Sequence, residues 1–255
     1  MKKAKKGSDP PRGVIRAVSL AAAILNHSDD DRGEHDTWWW WMERKTGQII
    51  MFPDASNSRY GSFGDSAIIL LLFRVEIRKY LVEMRAHKTS QTFVNIQKNL
   101  YELLDDLPTL TKLAVMALYT QAISRPLMAY VRSHINDNSL LMGPIYECVK
   151  SHAQAIADAP DLVLSSNASP KTGSVFGTEV WDMLEIMYGI QALRQQEKLP
   201  NLEPLFIAFA RGASKTMERF TKEYVPDSVI ASLTPSRQRR GRCTLVNDEN
   251  EGALA

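Results

Sequence analysis

The acidic cluster Asp30-Asp31-Arg32-Gly33-Glu34 is the first group in the chain whose residue types and spacing could do chemistry. Paired carboxylates with a third shortly after can hold magnesium on a diphosphate, since that ion takes several carboxylate oxygens together with phosphate. Such a site also needs a second run of Asn-Asp, Ser and Glu at intervals of four, and Asn136-Asp137 is followed at those intervals by Leu140 and Pro144. The pattern fails, and diphosphate chemistry is not expected. His27, His35, His87, His134 and His152 form no pair at metal-ligand spacing among themselves, so each reads as an ordinary surface or core imidazole. Gly61-Ser62-Phe63-Gly64 lacks both the lysine of a phosphate loop and the spacing of a dinucleotide cradle, and no Gly-x-Ser-x-Gly elbow occurs. Asp105-Asp106 ahead of Leu107-Pro108-Thr109 reads as a helix stop and start, with acids where the next helix dipole favours them. These residues indicate no cofactor, no metal site and no small-molecule substrate.

What remains is charge and aromatic surface. Lys and Arg number 31 against 29 Asp and Glu, so the net charge of +2 gives no chain-wide attraction to a polyanion, and nucleic-acid contact must be local. The basic residues concentrate at the ends: Lys2, Lys3, Lys5, Lys6 and Arg12, then Arg237, Arg239, Arg240 and Arg242. Tails of this kind are usually solvated segments or nuclear addresses. Four consecutive tryptophans, Trp38, Trp39, Trp40 and Trp41, cannot all point inward from a helix or a strand. Two or three are expected to anchor the segment to the core, leaving at least one partly exposed to stack on a base or a partner. Cys148 lies in an apolar helical pattern and is expected to be a buried, inert thiol; with Cys243 alone beside it, a cysteine metal site is excluded and a reducing compartment is implied.

The elements that must carry these groups are helices. Hydrophobic residues make up 44% and charged residues 24%, the composition of a folding globular chain. The longest apolar run, Ala67 to Phe73, falls far below the roughly 18 residues that cross a bilayer, and no membrane partner is expected. Helical spacing predicts elements over Gly13 to Leu25, Asp65 to Ala86, Phe93 to Leu104, Thr109 to Ile135 with a kink before Pro126, Ser139 to Ile156, Thr178 to Lys198, and from Asn201 through Phe220. The last shows the clearest periodicity, with Leu202, Leu205, Phe206, Phe209, Ala213, Met217 and Phe220 on one stripe. Gln48 to Phe52 could form one short strand, and Asp161 to Gly177 reads as a polar loop. The expected fold is therefore all-α: an irregular multi-helix domain with a disordered basic N-terminus, an irregular C-terminal tail and at most one or two short strands. The expected divisions are a basic tail over 1–12, a Trp-rich segment with a short helix and loop over 13–62, a helical domain over 63–226 and a mostly disordered tail over 227–255.

Several segments, read in order, resemble the C-terminal half of transposase-like proteins of mushroom-forming fungi. They are Phe52-Pro53-Asp54-Ala55-Ser56-Asn57-Ser58-Arg59-Tyr60, Leu107-Pro108-Thr109-Leu110-Thr111-Lys112-Leu113-Ala114-Val115, Leu118-Tyr119-Thr120-Gln121-Ala122-Ile123-Ser124-Arg125-Pro126, Met142-Gly143-Pro144, and Asn247-Asp248-Glu249-Asn250-Glu251-Gly252-Ala253-Leu254. The likeness spans roughly residues 38 to 255. That group is more distantly similar to the hAT class of DNA transposases, in which a helical insertion interrupts a ribonuclease-H-like core and two aspartates and a glutamate hold two metals for phosphoryl transfer.

The resemblance implies that Arg59-Tyr60-Gly61-Ser62 matches a Thr-Arg-Trp-Asn-Ser segment, from which Ser58 and Tyr60 depart, and that Glu251 is the candidate third carboxylate. No room precedes residue 38 for the strands carrying the two aspartates, and the chain stops four residues after Glu251. The implied protein is thus a transposase-derived helical part, intracellular and with a nuclear address among its readings. It would lack a complete catalytic site of its own while retaining a surface for DNA or another protein. A self-contained helical protein-interaction module is the competing expectation.

Overall fold

The computed structural model describes residues 13–26, 35–55, 61–87, 92–225 and 227–245. Its fold is all-α, with no strand among the described residues. The chain forms two units: residues 1–117 with 185–202, and residues 118–184 with 203–255. These boundaries fall inside helices, at positions that sequence periodicity does not mark.

The first unit contains α1 (Val14–Leu25), α2 (His35–Thr46), α3 (Ser62–Leu72), α4 (Arg74–Ala86), α5 (Asn95–Leu103), most of α6 (Leu107–Tyr119) and nearly all of α11 (Leu184–Gln195). Helix α1 starts after Gly13, whose φ of 110° only glycine adopts without strain, and packs on α2, α3 and α5. The apolar run at residues 67–73 forms α3, buried nearly all round, whereas α4 buries one face through Ile77, Tyr80, Leu81 and Met84. The expected single helix over this stretch is broken at Phe73, where ψ reaches 22°. An all-round buried segment and a one-sided one meet at that residue. Helix α6 begins as its acids predicted: Asp106 Oδ2 accepts from the backbone N–H of Thr109 at 2.9 Å and from its hydroxyl at 2.5 Å.

The segment around Gln48–Phe52 is irregular, which corrects the expectation of a strand. No neighbouring strand is there, among the described residues, to accept its hydrogen bonds. Phe52 is buried and anchors it, while Ile49 and Met51 face outward.

The second unit contains a π-helical turn (Thr120–Ser124), α7 (Arg125–Ser133), α8 (Gly143–Asp158), the short α9 (Asp161–Leu164) and α10 (Pro170–Gly173), α12 (Leu202–Phe220) from Glu203 onward, and α13 (Pro235–Arg240). Pro126 explains the π turn. It has no N–H to give the carbonyl of Ala122 four residues earlier, so the helix widens and that carbonyl accepts instead from the N–H of Val175 at 2.8 Å.

The same defect corrects the expected helix over Thr178 to Lys198, which starts only at Leu184. The buried side chain of Gln121, on the π turn, accepts from Met183 N–H at 2.9 Å, and Ser174 Oγ accepts from Thr178 N–H at 3.0 Å. The Met183 N–H is thereby taken from the first helical turn that would run through residues 178–183. Trp181 is nonetheless buried, donating to the Ala168 carbonyl at 3.4 Å. It lies so close to Gly173 that a Cβ there would sit 2.9 Å from its ring and 2.4 Å from the Leu162 carbonyl.

Further corrections are smaller. The expected polar loop at 161–177 holds two single-turn helices, and the cap assigned to Ser139 belongs to Asn138, ahead of a 3-10 turn. Phe220, placed on the inward stripe, is exposed at the end of α12. Cys148 is exposed, as is Cys243, against the expectation of a buried thiol, because the inward face of α8 is carried by Val149, Ala153 and Ile156. Among the described residues no helix is long and apolar enough to cross a membrane.

Candidate nucleic-acid interface

Residues 227–245, expected to be largely irregular, carry turns and the helix α13. Local rules start this helix: Thr234 Oγ1 accepts from Arg237 N–H at 3.4 Å, and Pro235 occupies the first turn, where its missing donor costs nothing. Tertiary bonds then hold it. Asn138 is a two-ended clamp, its Oδ1 accepting from Leu140 N–H at 3.1 Å and its Nδ2 donating to the Gln238 carbonyl at 2.9 Å. Ser139 N–H donates to the Cys243 carbonyl at 2.9 Å, and the Arg242 guanidinium donates to the Asn136 carbonyl. Every one of these bonds on the α13 side uses backbone, apart from Arg242, so the side chains of Arg237, Arg239 and Arg240 stay exposed and unpaired among the described residues.

The same unit carries a second basic run. Arg211, Lys215 and Arg219 follow one another at intervals of four on α12 and share one exposed face, opposite in role to the buried Phe206, Ala210 and Ser214. The helix is fastened to α8 by the Ser214 hydroxyl, which donates to the Lys150 carbonyl at 3.2 Å. Beyond its end Tyr224 meets Tyr146 edge-on at 5.0 Å, and a Cβ on Gly143 would lie 3.3 Å from the Tyr224 carbonyl. Both phenols are pushed up from their ordinary value, first by burial and then by their negative neighbours, so they stay neutral and add no charge. The end of α12 and the α13 segment thus flank the N-terminal end of α8. Between residues 210 and 245 the acids are Glu218, Glu223 and Asp227, against eight Lys and Arg, although the whole chain carries only +2.

The tryptophan quartet lies in the other unit, on α2. Trp38 is fully buried, stacking 6.1 Å from Trp41, and both meet Tyr80 edge-on at 5.3 and 5.5 Å. The Trp41 indole donates to Glu83 Oε2 at 2.6 Å while Lys45 reaches Glu83 Oε1 at 3.1 Å. That indole bond, with Lys45 adding to it, holds the Glu83 carboxyl below its ordinary range. Trp39 is half-buried, and Trp40 is 58% exposed with the Arg44 guanidinium 5.9 Å from its ring. The expectation of inward anchors and an exposed member matches this placement.

The candidate contacts Arg59 and Tyr60, the acidic cluster at 30–34, the basic tail at 1–12 and Glu251 lie outside the described residues. Among the described residues no group of three or more His, Cys, Asp or Glu is placed to hold a metal. Sequence reasoning missed the α12 face and the Asn138 clamp. The first was legible as basic residues at intervals of four; the second joins positions a hundred residues apart and left no local signal. What this surface can do is meet phosphate oxygens with unpaired guanidinium and ammonium groups, a contact that positions a nucleic acid without reading its bases. The chain matches no profile of a known protein family, and no curated protein or solved structure is significantly similar to it.

Proposed function

We propose that this chain is a transposase-derived helical domain that contacts DNA phosphates through the basic end of its second unit and carries no strand-transfer chemistry of its own. The observation that supports the reading best is the segregation of charge. A nearly neutral chain gathers Arg211, Lys215, Arg219, Arg237, Arg239 and Arg240 on two elements of one unit, α12 bonded to α8 at Lys150 and α13 clamped to the turn before α8. The ordered sequence likeness supplies the kind of partner, and a nuclear location belongs to the same reading. The test is binding to a duplex carrying the terminal repeats of a transposable element, compared with a scrambled duplex across a salt series. The expected outcome is tighter binding to the repeat. The triple variant R237Q/R239Q/R240Q should lower the slope of log affinity against log salt by about 0.9 for each phosphate that is no longer neutralised. Equal, salt-sensitive binding to both duplexes would reduce the surface to a nonspecific basic patch, and an unchanged slope in the variant would refute it.

A helical protein-interaction module is the second reading. It draws on Trp40, Ile49 and Met51, three apolar side chains more than half exposed within one short stretch of the first unit. A strict monomer by native mass spectrometry, with no partner recovered from its own cell extract, would count against it.

A further inference from the structure

In the first unit, Arg16 on α1, Arg78 on α4, and Asn99 and Tyr101 on α5 line a cavity of about 570 Å³, together with the turn that carries Asp105 and Asp106. A second hollow of about 430 Å³, lined by Arg74, Lys79 and again Arg78 and Tyr101, adjoins it. Both have the size of a small-molecule site. The charges around them are unequally satisfied. Asp106 is committed to capping α6 through Thr109, and Glu83 to Trp41 and Lys45. Glu102 is an exposed acid 3.9 Å from Lys98. Asp105 alone faces Arg78 at 2.9 Å and Arg74 at 3.6 Å, and it is itself 59% exposed.

Arg16 has no hydrogen-bond or ion-pair partner among the described residues. Arg78 leaves Nε buried without a hydrogen bond, and the buried Nη1 of Arg74, whose side chain is 11% exposed, has only the Asp105 carboxylate near it, at 3.6 Å. A buried guanidinium N–H without an acceptor costs free energy, more than a neutral group would, so such donors mark where acceptor oxygens belong. Arg78 cannot turn away easily. Its guanidinium lies 4.3 Å from the centre of the Tyr101 ring, which is backed by Phe93 at 5.3 Å.

We propose that this cavity is a binding site for a small phosphorylated ligand. Its phosphoryl group would meet Arg16 and Arg78, with the rest of the molecule in the cavity beside Tyr101 and Asn99. A phosphate dianion brings more acceptor oxygens and more charge than the single Asp105 carboxylate it displaces, and guanidinium groups suit it geometrically. A nucleic-acid backbone, with its repeated charges, is disfavoured by the three acids Glu102, Asp105 and Asp106 among the lining residues.

The test is calorimetric titration of the full chain with inorganic phosphate and with pyrophosphate at constant ionic strength, with acetate as the control anion. One saturable site is expected, tighter for pyrophosphate and absent for acetate. Arg16→Gln, which removes a side chain with no partner among the described residues, should weaken binding about tenfold, as losing a charged hydrogen bond does. Asp105→Asn should tighten it, because the competing carboxylate is gone; a purely structural role for Asp105 would not produce that sign. The triple variant of the α13 arginines should leave the affinity unchanged. No heat up to about 10 mM phosphate, or binding lost in the α13 variant and kept in Arg16→Gln, would overturn the proposal.

Discussion

Helices α2 and α13 each carry a run of one residue type, four tryptophans in the first and three arginines in the second, and the protein uses them in opposite ways. In α2 the helical angle sorts identical side chains: Trp38 goes fully inward, Trp41 follows one turn later, and Trp40 is left outside. In α13 none of the three goes inward. The helix is held by the bonds of its backbone to Asn138 and Ser139, and the arginines are presented as a set. The first unit thus fixes its segment through side chains and leaves a remainder at the surface. The second fixes the backbone and leaves every cation of the set free, which is the condition for acting by charge.

The most severe way to break this comparison is to remove the inward tryptophan. Trp38→Ala deletes a fully buried indole with two aromatic neighbours and should cost about 3–5 kcal/mol of stability in urea unfolding. Trp38→Phe should cost much less, below about 1.5 kcal/mol, because it also removes an indole N–H that is buried without a partner. Equal losses for the two would mean that the N–H is satisfied and that ring packing alone does not fix the helix.

A milder intervention sharpens the other half. Asn138→Ala removes both ends of the clamp and should cost about 1–2 kcal/mol, the range of a lost cap with its hydrogen bond. Hydrogen exchange at Arg239 and Arg240 should accelerate, with exchange along α2 unchanged. If α13 exchanged no faster, its local cap would be enough to hold it, and the arginines would owe their placement to Thr234 and Pro235.

Much of this was legible in the sequence, for reasons that are local. The helix after Gly13, the all-round burial of residues 67–72, the acid cap before Thr109 and the defect ahead of Pro126 each follow from spacing or backbone chemistry within a few residues. The errors share a different cause. Residues 178–183 have helical periodicity, but the Met183 N–H goes to Gln121, and Asn138 finds its partner at Gln238. The cavity of Arg16, Arg78 and Tyr101 joins three helices whose arginines look individually like solvated surface. Side chains that reach far along the chain to engage backbone groups, or one another, leave no periodic trace.

Acid exposes the same difference between the units through two groups whose values are both lowered for different reasons. Burial lowers His152, although its Nε2–H donates to the Gly173 carbonyl at 3.0 Å and partly offsets that effect. Because the unfolded imidazole protonates near its ordinary 6.5 and the folded one resists, the unfolded state takes up the proton first. The stability that the neutral ring contributes is therefore full above about 6.5 and is lost as pH falls from there toward the folded value. Glu83 in the first unit is lowered by the Trp41 indole, so its contribution is kept down to its ordinary 4.5 and lost only below, as pH passes the folded value. Stability measured by urea midpoint should then decline in two steps, a near-neutral one that His152→Gln flattens and an acid one that Glu83→Gln flattens. Both variants should shift slopes more than midpoints at neutral pH, since each keeps the volume of the side chain it replaces. A near-neutral decline that survives His152→Gln would place the acid-sensitive group elsewhere and leave the burial of His152 without a consequence for folding.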